Sequence, residues 1–130
     1  MAQVDKSTNA GSAIIANRIK GAGTEPNYAH WGTGTTAAAV TDTALQTARA
    51  EARSNGGGTN SSIVTTTVTN DTYQVVTTLT CASTSAAITE YGQFDASTSG
   101  NMLIRSTFDA INVAVGDSIQ FTAKLKMVAS

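Results

Sequence analysis

The sequence predicts a mainly β fold: an antiparallel β-sandwich, jelly-roll or Ig-like, with one or two short N-terminal helices and an N-terminal arm. Three observations carry that expectation. From Ile63 to Val128 the chain reads as Thr/Val-rich alternating runs separated by Asn-Asp, Ser-Gly-Asn and Gly-Asp turns. Five or more such runs at roughly 8–12-residue spacing suit a sandwich better than a parallel sheet with crossover helices. The chain holds 22 threonines in 130 residues, and β-branched polar side chains favour a pleated, half-exposed surface. Only 13% of residues are charged, against a usual share of about 25%, so the outer faces of these strands carry hydroxyls more than charges.

Taken in order, residues 1–11 are small and polar and are expected to form a flexible arm, leaving a single β-sandwich domain over 12–130. Ser12 to Lys20 has helical spacing: Ile15 and Ile19 are four apart with Ala16 beside them, while Arg18 and Lys20 face away. Gly21 and Gly23 would stop that helix. Thr24 to Asn27 contains the single proline, Pro26, and reads as a loop. Tyr28–Trp31 reads as a short strand, followed by a flexible Gly32–Thr36. A second helix is expected over Thr43–Arg53, where Thr43 and Gln46 have capping-box spacing and Leu45, Ala48 and Ala52 give a narrow apolar stripe. Asn55–Gly58 would end it and act as a hinge.

The strands come next. Ile63–Thr69 and Tyr73–Cys81 flank Asn70-Asp71, a hairpin turn signal. Tyr73, Val75, Leu79 and Cys81 share one face by two-residue alternation. Ala87–Asp95 and Asn101–Asp109 follow, and Ile111, Val113 and Val115 alternate before Gly116-Asp117. The last strand is the clearest, with Ile119, Phe121, Ala123, Leu125 and Met127 on one face and Gln120, Thr122, Lys124 and Lys126 on the other.

Composition removes several classes of function. The net charge is −1, from 8 basic and 9 acidic residues, with no basic run of the kind nucleic-acid binding needs. No apolar segment approaches the ~20 residues that span a bilayer. The N-terminus runs into Ser, Thr and Asn instead of the apolar core of a signal peptide, so folding in a cytoplasm is expected. With a single Cys and a single His, neither an internal disulfide nor a two-His or multi-Cys metal site can form within one chain.

Catalytic readings fare no better. His30 sits in a strand beside Trp31 with no nucleophile signature, so a hydrogen-bonded structural or interface role is expected. Cys81 closes an apolar face and reads as a buried thiol. Gly32–Thr36 lacks the lysine and spacing of a phosphate loop. Glu90, Asp95, Asp109 and Asp117 lack calcium-loop spacing and suit turn or strand-end roles. Asn60 and Asn70 match glycosylation sequons but read as turn residues. Glu90 and Arg105 are placed to pair across strands, fixing register. No catalytic, cofactor or metal residue is assigned. A small hydrolase acting on cell-wall material is disfavoured for want of paired carboxylates.

Three stretches carry a resemblance: Asn9 to Lys20; Tyr28 to Thr36 leading to Asp42-Thr-Ala-Leu45; and Ile88 to Asp95 with Asn101–Arg105 and Gly116–Ile119. Their order resembles small virion structural proteins of tailed bacteriophages and related prophages, over about residues 9–128. The resemblance implies a β-sandwich, self-association (a homotrimer favoured) and contact with another virion protein. The leading expectation is a non-enzymatic capsid decoration, or cement, protein. It would be made in the host cytoplasm, sit on the virion capsid surface and clamp the major capsid protein lattice. The alternative is a tail-tip or fibre-associated protein that contacts a tail protein and helps attach to a host surface. No cofactor, nucleic acid or membrane is implied. Interface candidates are Val4 in the arm and Tyr28, His30, Trp31, Tyr91 and Phe94. Deleting residues 1–9 is expected to weaken shell binding while leaving the fold intact.

Overall fold

Alternation of Ile119, Phe121, Ala123 and Leu125 with Gln120, Thr122, Lys124 and Lys126 produces a strand, β8 (Ser118–Lys126). Its odd positions are half-buried and its even positions exposed. The structure is a computed structural model that describes residues 3–55 and 60–130. The other elements are β1 (Val4–Ser7), α1 (Asn9–Ile19), β2 (Tyr28–Gly32), β3 (Ser54–Asn55), β4 (Ser61–Val64), β5 (Thr72–Thr80), β6 (Ala86–Phe94) and β7 (Met102–Val113). They form a five-stranded sheet, order β1-β7-β6-β2-β3, and a three-stranded sheet, order β4-β5-β8. Every pairing among the described residues is antiparallel.

The sheets pack through residues that alternation aims inward. Ala29, Trp31, Ile88, Tyr91 and Val113 of the larger sheet meet Leu79 and Cys81 from the β5 side, with Phe121 and Ile119 of β8 packed against them. Phe121 is the aromatic hub, with ring centroids 4.8 Å from Tyr91, 6.1 Å from Phe108 and 6.4 Å from Trp31. Offset and edge contacts of this kind add roughly 0.5–1.5 kcal/mol each beyond area burial. The antiparallel sandwich expected from the Thr/Val pattern is therefore the observed architecture.

Five local expectations are corrected. Residues 4–7 of the expected arm are an edge strand whose Val4 and Ser7 pair with Thr107 and Ile104. Thr8 behind it caps α1, its hydroxyl accepting from the Gly11 amide at 2.9 Å. Deleting residues 1–9 would remove both a strand and a helix cap, so it is no longer a test that leaves the fold intact. Helix α1 also starts at Asn9 and not at Ser12. Its buried residues are Gly11 and Ile14, with Ile15 half-buried, while Ile19 is 83% exposed. The reason is position along the axis: Ile14 lies over Leu103 and Ile104 of β7, and Ile19 projects past them. Gly21 (φ 83°) ends the helix as expected. Its amide and that of Ala22 close back on Arg18 O and Asn17 O, a glycine-dependent stop.

The third correction is Thr43–Arg53, which is not helical. Its amides are taken by partners distant in sequence: those of Gln46 and Thr47 donate to Glu90, and that of Arg49 donates to Trp31 O. The Gln46 side chain accepts from Thr36 N at 2.8 Å and closes no capping box. Fourth, the first hairpin strand ends at Val64. Residues 65–71 form a loop in which the Asp71 carboxylate accepts from the amides of Thr66, Thr67 and Val68 at 2.8–3.0 Å. Asn70 takes φ 60° there. The two runs expected around Asp109 are one continuous strand, β7. Of the expected Asn55–Gly58 hinge, the Gly56–Gly58 run lies outside the described residues.

Candidate functional site

Parts of the second and third stretches quoted for the resemblance meet in one buried cluster. Glu90 and Arg105 come from the adjacent strands β6 and β7, where Glu90 pairs with Thr107 and Gly92 with Arg105, so the two side chains are diagonal neighbours on one face. Arg105 Nε and Nη2 donate to Glu90 Oε2 at 3.0 and 2.8 Å. Its Nη1 donates to Asp42 at 2.9 Å and its Nη2 to Thr36 O at 3.0 Å. Glu90 Oε1 accepts from the amides of Gly34 (3.1 Å) and Thr47 (2.8 Å), and Oε2 from that of Gln46 (3.0 Å). Glu90 is fully buried and Arg105 is 2% exposed. Burial opposes ionisation of Asp42, but the Ala39 amide and the Arg105 guanidinium hold its carboxyl below the ordinary range.

Gly32-Thr-Gly34 is therefore a close-approach segment and not the flexible connection expected. A Cβ at Gly32 would lie 2.3 Å from Thr47 O and 2.4 Å from Glu90 Oε1. The expected Glu90–Arg105 pair exists, but as a buried junction that anchors the chain between β2 and β3. Its acceptors and donors are taken up by the fold, leaving no free valence aimed at solvent. It is a structural centre.

The remaining chemistry-bearing residues are engaged in the same way. His30, half-buried, donates from Nε2 to Glu51 O at 2.7 Å. Glu51 bridges Arg49 (3.0 Å) to the turn at Ala82 and Ser83, accepting from both amides. Burial raises its pKa, but the Arg49 side chain and those amides win and hold the carboxyl well below its usual range. The Cys81 thiol is buried and donates to Thr84 O at 3.0 Å. Among the described residues no group of three or more His, Cys, Asp or Glu is placed to hold a metal ion. No helix among them is long and apolar enough to cross a membrane.

Three of the aromatic contact candidates need correcting, because both faces of β6 are covered: Trp31 and Tyr91 face the other sheet, and Phe94, on the opposite face, lies against Leu45 of the 33–53 connection. Trp31, Tyr91 and Phe94 are 0, 3 and 2% exposed and belong to the interior. Trp31 and Tyr91 fill the space between the sheets. Phe94 packs with Leu45 and Met102 under the Arg53 guanidinium, which sits 3.6 Å from its ring centroid. Val4, Tyr28 and His30 are half-buried.

What the surface offers instead is a groove of about 530 Å³ between α1 and the three-stranded sheet. Ile14, Ile15, Tyr73, Leu103 and Leu125 line its floor. Ile19, Ile63 (68% exposed) and Met127 (45% exposed) stand at its rim. Two of its polar members, Tyr73 and Glu25, are tied to one another: Tyr73 donates to Glu25 at 3.0 Å, and Asn27 donates to the other Glu25 oxygen. Burial and the neighbouring Glu25 charge push the Tyr73 hydroxyl well above its usual pKa, so it stays a neutral donor. An apolar floor without a free acid–base pair suits protein contact. Sequence reasoning missed this surface because it assigned Ile19 and Met127 to the core. The available signal was their position at the ends of their elements. No family model matches the sequence, and no curated protein matches it significantly.

Proposed function

We propose that this chain is a non-enzymatic structural protein of a tailed-bacteriophage virion, a capsid decoration protein that binds the major capsid protein lattice. The observation that carries the reading is the groove at α1, where Ile19, Ile63 and Met127 present apolar surface at the rim of an apolar floor. Large exposed apolar patches rimmed by polar residues mark interaction sites. The low charge of the chain keeps the desolvation cost of such contact small. Binding only the assembled shell stabilises it against the disrupted one by mass action, with no reaction needed.

The test is co-sedimentation of the purified chain with purified heads and, separately, purified tails of the particle encoded with it. Saturable binding to heads, reduced at least about tenfold by the double change Ile19→Glu and Ile63→Glu (a loss of roughly 1.4 kcal/mol), is the expected result. Binding to tails alone would replace this reading with the tail-associated one. Absence of binding to either, or binding indifferent to the double change, would sink it.

A further inference from the structure

The free edge of β8 presents a second contact surface, whose partner follows from its own register. β8 ends the three-stranded sheet and, among the described residues, pairs only with β5. Two bonds at the ends of that ladder set its parity. Cys81 N donates to Asp117 O at 2.8 Å, and Met127 N donates to Asp71 O at 2.8 Å. Both β8-side residues are odd-numbered. Backbone groups alternate in direction along an antiparallel strand. Odd residues of β8 therefore face β5, and Ser118, Gln120, Thr122, Lys124 and Lys126 turn their N–H and C=O groups to the open edge.

We propose that two copies of this chain pair through β8, antiparallel, about a twofold axis at Thr122. That register sets Thr122 against Thr122 of the second copy, Gln120 against Lys124, and Ser118 against Lys126. All of these are the residues whose backbone groups face outward, so the full strand length is hydrogen-bonded. Each lysine meets a neutral hydrogen-bonding side chain, and each Lys126 approaches the end of the partner strand that carries Asp117. On the inner face Ile119 meets Leu125 and Phe121 meets Ala123, joining apolar side chains that are only half-buried in one copy. A one-residue slip sets outward backbone groups against inward ones and flips the faces. Registers centred on Lys124 or Leu125 place lysine opposite lysine, which is destabilising. Those centred on Phe121 or Ala123 shorten the overlap. Strand addition supplies affinity through main-chain hydrogen bonds, and an isologous pairing of this kind closes at two copies. The dimer does not rest on the shell-binding reading, since it is measured on the purified chain with no particle present.

Analytical ultracentrifugation of the full chain should give twice the mass of the 13.3 kDa polypeptide. Thr122→Pro removes an outward N–H while sparing the β5 ladder, and proline is tolerated on an edge strand in that orientation. It should weaken the dimer about a hundredfold, through loss of the central hydrogen-bonded pair and its neighbours. Thr122→Cys gives an independent reading. Hydrogen-bonded antiparallel pairs have Cα atoms about 5.5 Å apart, within disulfide reach, so mild oxidation should cross-link that variant in high yield, whereas the wild type, with Cys81 buried, should not cross-link. A monomer at micromolar concentration, a trimer, or a Thr122→Cys variant that resists cross-linking would overturn the proposal.

Discussion

The junction at Glu90 and the outer flank of the three-stranded sheet are built on opposite terms. At the junction a buried carboxylate gathers three amides and a guanidinium, and the guanidinium gathers a second carboxylate and a carbonyl. Along the flank, Ile19, Ile63 and Met127 are exposed and the edge of β8 is unpaired among the described residues. The first region is closed by internal partners; the second is left open, and it is there that we propose external ones bind. The difference teaches that in a chain this poor in charge, the few buried charges are used to tie long connections down. The apolar and backbone groups that remain are the ones left exposed.

Breaking the closed region should cost the most. Glu90→Ala would strand Arg105 and three amides, and removing one partner of a buried pair typically costs about 3–5 kcal/mol. Denaturant unfolding measures this, and a loss under ~1 kcal/mol would mean that the junction is not the anchor described. Gly34→Ala should come next. Its new methyl would sit 2.5 Å from Gln46 Cβ and 2.7 Å from Glu90 Oε1, and overpacking of this kind costs roughly 1–3 kcal/mol.

A smaller effect is expected from pH. Asp42 has a folded pKa below its unfolded value of 3.8. The stability it contributes is therefore present above about pH 4 and lost as pH falls through the folded value. Glu51 and Asp71 act in the same direction. Thermal melts at decreasing pH should show a descending acid limb that Asp42→Asn makes shallower; an unchanged limb would remove Asp42 from the account. Smallest of all, Ile19→Glu in the open region should shift stability by no more than about 0.5 kcal/mol. A larger loss would make Ile19 part of the core after all.

Much of the fold was legible because it rests on local pattern. The Thr/Val alternation located β5 and β8, Gly21 located the end of α1, and the paired runs located the sheets. The helix expected over Thr43–Arg53 was not observed, although its capping box and stripe were locally sound. An isolated helix of that length is marginal, and Glu90 offers its amides stronger, charged acceptors. Glu90 lies over forty residues away in sequence, so no local window contains the reason. The groove at α1 was illegible for a related cause, since Ile14 and Ile19 carry the same side chain and only the reach of β7 beneath the helix separates them.

By itself the sequence determined that this chain would form antiparallel strands with one polar and one apolar face. It also determined that no two-His or multi-Cys metal site could form within one chain. Both follow from side-chain type and two-residue spacing, which need no knowledge of neighbours. Tertiary structure alone decided that Trp31, Tyr91 and Phe94 lie inside, that residues 33–53 wrap over a buried ion pair, and that β8, among the described residues, ends a sheet with the backbone groups of its even-numbered residues turned outward. Each of these depends on which strands lie side by side. Long-range pairing sets that arrangement, and it appears in no single stretch of the chain.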